Sequence, residues 1–226
     1  MPKQDPNATT TRKRKIGTWN MQGSTNWNQV KRIAKDTDLL ALQETGSHPF
    51  RVPKSQVGKP IMRFTHNFGT RRRPINRHVA YWENKINKHN RNSLVVISKS
   101  PIKNARLIEG PAKTLRPALF TETDDGNFAS FHAPSKHDNV SFGVTRSVLS
   151  KMPSKTIVGG DFNMEPSYVQ KKGGIGGFST LSQRGPTQQS GRNLDYFMTN
   201  VSVQSSEIRR ENVMSDHFSV TGNVRY

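Results

Sequence analysis

Residues 157–163 place side chains suited to hydrolysis at the end of a predicted strand. Apolar residues lead into Gly159 and Gly160, and Asp161, Phe162 and Asn163 follow. A short apolar run bounded by glycine predicts a buried strand that reaches the edge of its sheet. Strand alternation would direct Asp161 and Asn163 to the same side. An isolated D-x-N is more often a turn at a strand end, so this interpretation depends on other residues.

The first 44 residues supply two more polar strand ends. Residues 15–21 alternate as a strand and leave Asn20 at its end, whereas residues 38–44 form an apolar run that ends at Glu44. Residues 27–35 lie between them and have the apolar spacing of a helix. If the two strands are parallel, Asn20 and Glu44 lie at the same sheet edge.

The second half of the chain adds histidines and acids. Residues 118–123 and 128–132 predict a hairpin that ends at His132, and Arg116 precedes it. Asp195 stands between apolar neighbours, an unfavourable place for an idle charge. Asp216 and His217 open a predicted final strand. A lone histidine at a strand end is usually packed or on the surface, so His132 gains meaning only from the other residues.

The remaining segments predict a single α/β domain without internal repeats. Strands are expected at 79–83 and 93–98, and a helix at 141–151. Residues 46–77 predict loops around at most one short strand, and residues 171–191 an irregular loop. Residues 1–14 predict a disordered basic arm, which leaves 15–226 as the catalytic domain.

Together the polar strand ends match metal-assisted phosphodiester cleavage. Glu44, helped by Asn20 and Asp216, would hold Mg²⁺, which polarises a phosphate oxygen and stabilises the leaving oxyanion. The other members of the set are catalytic candidates: Asp161 to orient or deprotonate water, Asn163 to hydrogen-bond the phosphate, histidine for proton transfer, and Asp195 to fix the ring of His217.

Composition favours a polyanionic partner. The 226 residues carry 35 Lys and Arg against 16 acids, a net charge of +19. Most of the excess lies in residues 1–100, and residues 46–77 contain no acid but include Arg71, Arg72 and Arg73. Such a field attracts nucleic acid, phosphoinositide surfaces or an acidic protein. We expect the three arginines to be exposed and away from the catalytic strand ends.

Composition also excludes some chemistry. Cysteine is absent, which excludes disulfides, thiolate zinc sites and cysteine nucleophiles. No run of eighteen apolar residues predicts a membrane span, and the N-terminus lacks the apolar centre of a secretory signal. Export would therefore need another route, or a leader missing from this chain.

Several motifs resemble the endonuclease/exonuclease/phosphatase superfamily related to DNase I. They are residues 18–23 (TWNMQG), 42–44 (LQE), 132–133 (HA), 160–163 (GDFN) and 215–217 (SDH). Residues 17–24, 90–91, 116–119 and 186–196 look closer still to the B subunit of cytolethal distending toxin. The resemblance runs from about residue 15 to 220.

The resemblance implies a four-layer sandwich of two mixed β-sheets packed face to face, with helices outside. It implies metal binding by Glu44, and active-site roles for Asn20, Asp161, Asn163 and Asp216. His132 and His217 would do histidine chemistry, the latter paired with Asp195, and Arg91 and Arg116 would contact substrate phosphates. Relatives orient the equivalent of His132 with a carboxylate, and Glu83 is the only acid between Gly46 and Ile108.

The leading interpretation is a Mg²⁺-dependent DNase of the distending-toxin type. Its partners would be DNA and a toxin carrier or delivery subunit, and it would act in the nucleus of a host cell. The first alternative uses the same site to hydrolyse phosphoinositide monoesters. A second alternative is a catalytically silent polyanion-binding protein, which would need the basic residues but not the acid, amide and histidine set.

Overall fold

A computed structural model describes residues 13–23, 26–46, 48–84, 92–111, 116–203, 205–211 and 215–225. Within these ranges the α-helices are α1 (Trp27–Asp36), α2 (Asp138–Leu149) and α3 (Pro166–Lys171), and a short 3-10 helix covers Lys54–Gln56. The strands are β1 (Lys13–Asn20), β2 (Leu39–Gln43), β3 (Ile61–Asn67), β4 (Asn76–Trp82), β5 (Leu94–Ser98), β6 (Ile102–Ile108), β7 (Ala118–Thr123), β8 (Gly126–His132), β9 (Thr156–Asp161), β10 (Ser179–Leu181), β11 (Asp195–Thr199), β12 (Ser205–Glu211) and β13 (Ser219–Arg225).

The strands form two mixed sheets. The first has the order β12-β13-β1-β2-β5-β4-β3, and the second β10-β11-β9-β8-β7-β6. One neighbouring pair in each sheet is parallel, β1 with β2 and β8 with β9, and the other pairs are antiparallel. The predicted parallel pairing of the strands that end near Asn20 and Glu44 is therefore confirmed.

Three apolar clusters separate the layers of the molecule. The central one joins the inner faces of both sheets, for example Ile16 and Val96 of the first with Phe128 and Phe197 of the second. A second cluster packs α1 on the outer face of the first sheet, and a third packs α2 and α3 on the second. The predicted four-layer sandwich is confirmed.

Helix α1 shows why the crossover between β1 and β2 folds as it does. Trp27, Val30, Ile33 and Ala34 recur at helical spacing and are buried, and they cover the outer face of the first sheet. The helix ends where the Arg77 guanidinium donates to the carbonyls of Ala34 and Lys35, at 2.9 and 3.0 Å. These bonds satisfy carbonyl groups that every helix leaves open at its C-terminus.

The sequence analysis missed the strands at the edges of both sheets. Strands β3 and β12 flank the first sheet, and β6 and β10 flank the second. In β3 the buried Met62 and Phe64 alternate with the exposed Arg63 and Thr65, so the segment 46–77 contains a full seven-residue strand. Edge strands carry charged and polar side chains that discourage pairing with another molecule, and this composition hides them from an apolar pattern.

Three predicted boundaries also differ from the structure. Strand β1 starts at Lys13, inside the predicted arm, and the salt bridge between Arg14 and Asp125 holds it there at 2.5 Å. Residues 1–12 lie outside the described residues. Strand β13 starts at Ser219, so Asp216 and His217 precede the final strand instead of opening it. Helix α3 within residues 166–171 was not predicted.

Candidate active site

Strand register brings the predicted polar residues to one edge of the sandwich. Asn20 pairs with Gln43 at the end of β1 and β2, and Glu44 follows directly. In the other sheet Asp161 pairs with His132 on one side and with Asp195 on the other. Because both parallel pairs end at this edge, residues far apart in sequence meet in one place.

A cleft of about 200 Å³ opens where these strand ends meet. Its lining consists of polar or charged side chains: Asn20, Gln22, Glu44, Arg116, His132, Ser135, Asp161, Asn163, Gln188, Asp216 and His217. Asp195 lies behind this lining with no exposed surface. Arg91 falls outside the described residues, so its predicted phosphate contact stays a prediction. A volume of this size suits a phosphate group.

Asp161 lies at the centre of the cleft and is 1 % exposed. The amide Nδ2 of Asn20 donates to its Oδ2 at 2.9 Å, and the backbone N–H of Asn163 donates to its Oδ1 at 2.9 Å. Burial, followed by the charge of Asp195, raises the pKa of Asp161 to about 6. A carboxyl group with a pKa near neutrality is suited to general acid–base work.

Asn163 reaches the cleft through a turn and not through strand alternation. Strand β9 ends at Asp161, and Asn163 adopts φ 50 while its backbone N–H bonds to the Asp161 side chain. Its Nδ2 donates to the carbonyl of Ala133 at 2.9 Å, which leaves a second amide hydrogen for a substrate oxygen. The turn and the functional interpretation of D-x-N therefore hold together at one site.

The glycine before Asp161 is required by close packing of the parallel strands. A Cβ atom on Gly160 would lie 2.3 Å from the carbonyl oxygen of Phe131 on β8. A side chain at this position would push β9 away from β8 and separate Asp161 from His132. The sequence motif GDFN thus combines a packing requirement with a chemical one.

His217 is held by a buried carboxylate, as predicted. Its Nδ1 lies 2.8 Å from Oδ2 of Asp195, and its Nε2 lies 3.8 Å from Oδ2 of Asp161. Burial acts to lower the pKa of His217, but the carboxylates of Asp195 and Asp161 outweigh it and raise the pKa to about 9. His217 is therefore an imidazolium ion at neutral pH, with both ring nitrogens as donors.

The sequence analysis missed two residues that build this pair. The amide group of Gln188 lies 3.1 Å from Nε2 of His217, and the two residues also form an isolated backbone bridge. The hydroxyl of buried Thr187 accepts the backbone N–H groups of Leu194 and Asp195, both at 2.8 Å. Both residues lie in the segment 186–196 whose similarity to the toxin subunit was noted, which was the signal available.

His132 is positioned by an arginine. Nη1 of Arg116 lies 2.7 Å from Nδ1 of His132. Because guanidinium can only donate, Nδ1 must accept, and the neutral ring then carries its proton on Nε2. That nitrogen lies 3.6 Å from both Oε1 of Glu44 and Oδ2 of Asp161. The carboxylate that the resemblance implied at Nδ1 is replaced here by Arg116, whose burial lowers its pKa.

The proposed metal ligands fit a hydrated hard cation. Glu44 keeps 16 % of its side chain exposed, and Asn20 and Asp216 line the same cleft, so oxygen atoms face an open, water-filled space. A tighter group also exists, since ligand atoms of Asp161, Asp195 and His217 lie within 4.8 Å of one another. In that group Asp195 and His217 are already bonded to each other, which favours an acid–base pair over a metal site.

Three residues in the cleft have left-handed backbone conformations. Gln22, Glu44 and Asn163 have φ values of 52, 49 and 50, and Lys155 is the other non-glycine residue with positive φ in the described ranges. The loops that hold Gln22 and Glu44 are tied together, because the N–H of Gly23 donates to the carbonyl of Glu44 at 2.7 Å. Such conformations cost free energy and concentrate at functional sites.

A sequence profile of the Endonuclease/Exonuclease/phosphatase family matches residues 17–217. The chain belongs to this family. Its members include nucleases and phosphatases, so the cleft is the site of a hydrolase. No functionally curated protein matches the sequence at a significant level.

Solved structures share the fold. Cytolethal distending toxin from Actinobacillus actinomycetemcomitans matches with 24% identity and a TM-score of 0.73, over 92% of this chain and 97% of that one. The toxin from Haemophilus ducreyi gives the same values. A 3′ phosphatase, NExo, from Neisseria matches with 13% identity and a TM-score of 0.57, over 94% of this chain and 100% of that one. The predicted resemblance to the distending toxin is confirmed in the fold.

Proposed function

We propose that this protein is a divalent-metal-dependent endonuclease that hydrolyses phosphodiester bonds in DNA. The observation that carries the proposal is the position of Asp161, a buried carboxylate within 4 Å of two histidines, at the floor of a cleft of phosphate size. One acid faces the cleft there among hydrogen-bond donors, which is the arrangement that water attack on a phosphate requires.

The two histidines are suited to different tasks. His132, with Nδ1 accepting from Arg116, presents a neutral N–H to a phosphate oxygen. His217, paired with Asp195, presents a positively charged N–H, which stabilises the negative charge that grows in the transition state. Environments that separate the ionisation of neighbouring groups in this way are how an active site assigns acid and base roles.

Asp161 orients the attacking water and accepts its proton. Its two hydrogen bonds from Asn20 and Asn163 hold the carboxylate in place, and its raised pKa makes it a better proton acceptor than an exposed aspartate. Asn163 keeps an amide hydrogen for the phosphate. Glu44, Asn20 and Asp216 would hold Mg²⁺, which supplies electrostatic stabilisation of the phosphate and of the leaving oxygen when it is bound.

The proposal extends to biological setting. A toxin carrier or delivery subunit would bring the protein into a host cell, where it would act on nuclear DNA. This extension is supported by the similarity to distending-toxin structures over nearly the whole length of both chains, and by the charge of +19, which favours nuclear polyanions. Within the described ranges, no α-helix has the length and apolarity needed to cross a bilayer.

A second candidate function is hydrolysis of phosphomonoesters, such as those of phosphoinositides. Two observations favour it, the similarity to a 3′ phosphatase and a cleft that holds one phosphate group without apolar walls for a larger ligand. A third candidate is a catalytically silent polyanion-binding protein. It does not account for the cost of burying Asp161 and Asp195 at one sheet edge.

Nicking of supercoiled plasmid separates the three candidates. The wild type should nick plasmid with Mg²⁺ and stop with EDTA. His217→Ala should lose activity at least about a hundredfold, the usual size of an acid–base contribution. His137→Ala is the matched control, because His137 is exposed and outside the cleft.

Phosphate release from a soluble phosphoinositide is measured beside nicking. Release without nicking would favour the phosphatase, and DNA binding without either activity would favour the silent protein. Equal activity of wild type and His217→Ala, with folding verified, would contradict the mechanism.

A further inference from the structure

A group of basic residues lies at the opposite end of the first sheet from the cleft. In the antiparallel hairpin of β3 and β4, Ile61 pairs with Trp82 at the cleft end and Asn67 pairs with Asn76 at the far end. Residues 68–75, which connect the strands, therefore extend beyond the far end of the sheet. This connection carries Arg71, Arg72 and Arg73, and all three are exposed.

Helix α1 adds lysines to the same end. Phe68 at the base of the hairpin packs in one apolar cluster with α1. Lys31 of α1 is close enough to β3 that its charge, after burial, lowers the pKa of His66. Lys35 is exposed in the last turn, beside the buried Arg77 of β4. We call Arg71, Arg72, Arg73, Lys31 and Lys35 the hairpin patch.

The three arginines of the hairpin patch have no acidic partner in the described part of the chain. Ion pairs elsewhere neutralise basic residues, for example Arg192 with Asp138 and Arg106 with Glu122. The sequence from 46 to 77 contains no acid, and Asp36 at the end of α1 is the nearest acid in sequence before it apart from Asp38 and Glu44. Asp38 is engaged by Lys99 and by the backbone of Lys15.

The hairpin holds its arginines on a rigid frame. The Asn67 side chain accepts the backbone N–H groups of Gly69 and Ile75, at 2.8 and 2.9 Å, and so closes the loop from inside. The Thr70 hydroxyl accepts the N–H of Arg73 at 3.0 Å. A Cβ atom on Gly69 would lie 2.2 Å from the carbonyl of Arg73. An ordered turn loses less conformational entropy on binding than a flexible tail.

The hairpin patch and the cleft cannot contact one straight segment of DNA. Strand β3 spans about 20 Å along its length, and it lies three strands, about 14 Å, from β2. The straight line between them passes through the first sheet. Duplex DNA has a persistence length of about 150 base pairs and does not bend around a domain of this size without a large cost.

We propose that the hairpin patch binds the phosphate backbone of a second DNA duplex segment, so that one molecule bridges two segments. This proposal rests on the proposed function, because a DNA substrate brings many duplex segments near the protein. Guanidinium groups match phosphate oxygens in a bidentate geometry. Bridging would raise the local concentration of DNA at the cleft without changing the chemistry there.

Duplex DNA fits the hairpin patch better than a membrane does. Surfaces that enter a lipid interface combine basic residues with exposed apolar or aromatic anchors. The exposed large apolar residues in the described ranges are Val57 and Val140, and neither belongs to the hairpin. At the tip, the arginines are flanked by exposed Thr70 and Pro74. A wholly polar tip suits a phosphate backbone that offers only charge and hydrogen bonds.

A capture assay tests the bridging directly. One duplex of about 40 base pairs, roughly 136 Å long, is fixed to beads, and a fluorescent duplex of the same length is added with the protein in EDTA to prevent cleavage. The wild type should retain the fluorescent duplex. The variant R71Q/R72Q/R73Q should lose at least about tenfold of this capture at 0.1 M salt, and its salt slope should fall by about 2.7, or 0.9 per phosphate.

The matched control removes three exposed charges from the opposite layer. Arg146, Lys171 and Lys172 lie on or just after the helices that cover the second sheet, outside the cleft. The variant R146Q/K171Q/K172Q has the same net charge as the hairpin variant, and it should capture the fluorescent duplex within about threefold of the wild type, as expected for surface changes under 0.7 kcal/mol. Equal losses in the two variants would overturn the proposal, because net charge alone would then explain capture.

Two further outcomes separate this proposal from its alternatives. If the hairpin variant keeps DNA capture but loses binding to phosphatidylserine vesicles, the patch binds membranes and the DNA proposal fails. Plasmid nicking by the wild type without any capture would overturn bridging and leave the proposed function intact. Capture by the wild type that depends on the hairpin, without nicking, would support bridging while the proposed function fails.

Discussion

Replacing Asp161 with asparagine should abolish nicking and, in the absence of metal, stabilise the protein. Burial and the charge of Asp195 raise the pKa of Asp161 from 3.8 to about 6. A difference of about 2.2 pKa units corresponds to about 3 kcal/mol, by which the ionised carboxylate destabilises the folded protein at pH 8. Asparagine has a similar shape and carries no charge.

The hydrogen bonds around Asp161 reduce the expected gain. The N–H of Asn163 can still donate to an amide oxygen at position 161. The Nδ2 of Asn20 would instead meet an NH₂ group, and a lost or reoriented hydrogen bond costs about 1 kcal/mol. The net stabilisation at pH 8 is therefore about 2 kcal/mol, or roughly 4–8 °C in melting temperature for a chain of this size.

The sign of the effect depends on pH. A raised carboxyl pKa contributes stability that is present below the unfolded value of 3.8 and lost as pH rises through about 6. Denaturant unfolding in EDTA should therefore show Asp161→Asn gaining on the wild type between about pH 4 and 6, with a plateau above. Asp36→Asn, at an exposed position, is the control and should show no step of that size. A pH-independent difference, or a destabilised variant at pH 8, would refute the assignment of strain to Asp161.

Three further predictions concern the neighbouring groups. Glu44→Gln should raise the Mg²⁺ concentration needed for half-maximal nicking at least about tenfold, or 1.4 kcal/mol, and an unchanged Mg²⁺ titration would place the ion elsewhere. Arg116→Ala should lower turnover at saturating DNA by about a hundredfold, because His132 loses the donor at Nδ1, and Arg116→Lys should recover part of it; a loss confined to DNA affinity would contradict this role. The raised pKa of His217 contributes stability that is present below 6.5 and lost as pH rises through about 9, so the deficit of His217→Asn in denaturant unfolding should shrink between pH 7 and 10, and a constant deficit would contradict the Asp195 pairing.

The sequence predicted the centre of the fold better than its borders. Buried strands such as β2, β5 and β9 are apolar throughout, so their pattern identifies them. Edge strands have one face toward solvent and one side unpaired, and their polar residues resemble loops. The same reason concealed β3, and with it the extent of the hairpin that carries the three arginines.

Candidate site residues could be predicted where chemistry restricts the residue type, but their contacts could not. Asp195 stood out because a charge between apolar residues is costly unless it is paired. Gln188 and Thr187 were missed, since neutral polar residues in a glycine-rich loop carry no such signal. The pairing of Arg116 with His132 depends on tertiary packing of two segments sixteen residues apart, and no local pattern contains it.

The left-handed residues around the cleft have a consequence for how this protein can change. Gln22, Glu44 and Asn163 each hold a conformation that costs about 1–3 kcal/mol and that glycine adopts freely. Glycine at these positions would be favoured in any selection for thermal tolerance alone. Such a selection would erase a cation ligand and a phosphate donor while leaving the sandwich unaltered. A heat-resistant descendant of this chain could therefore look intact by fold and have lost its chemistry.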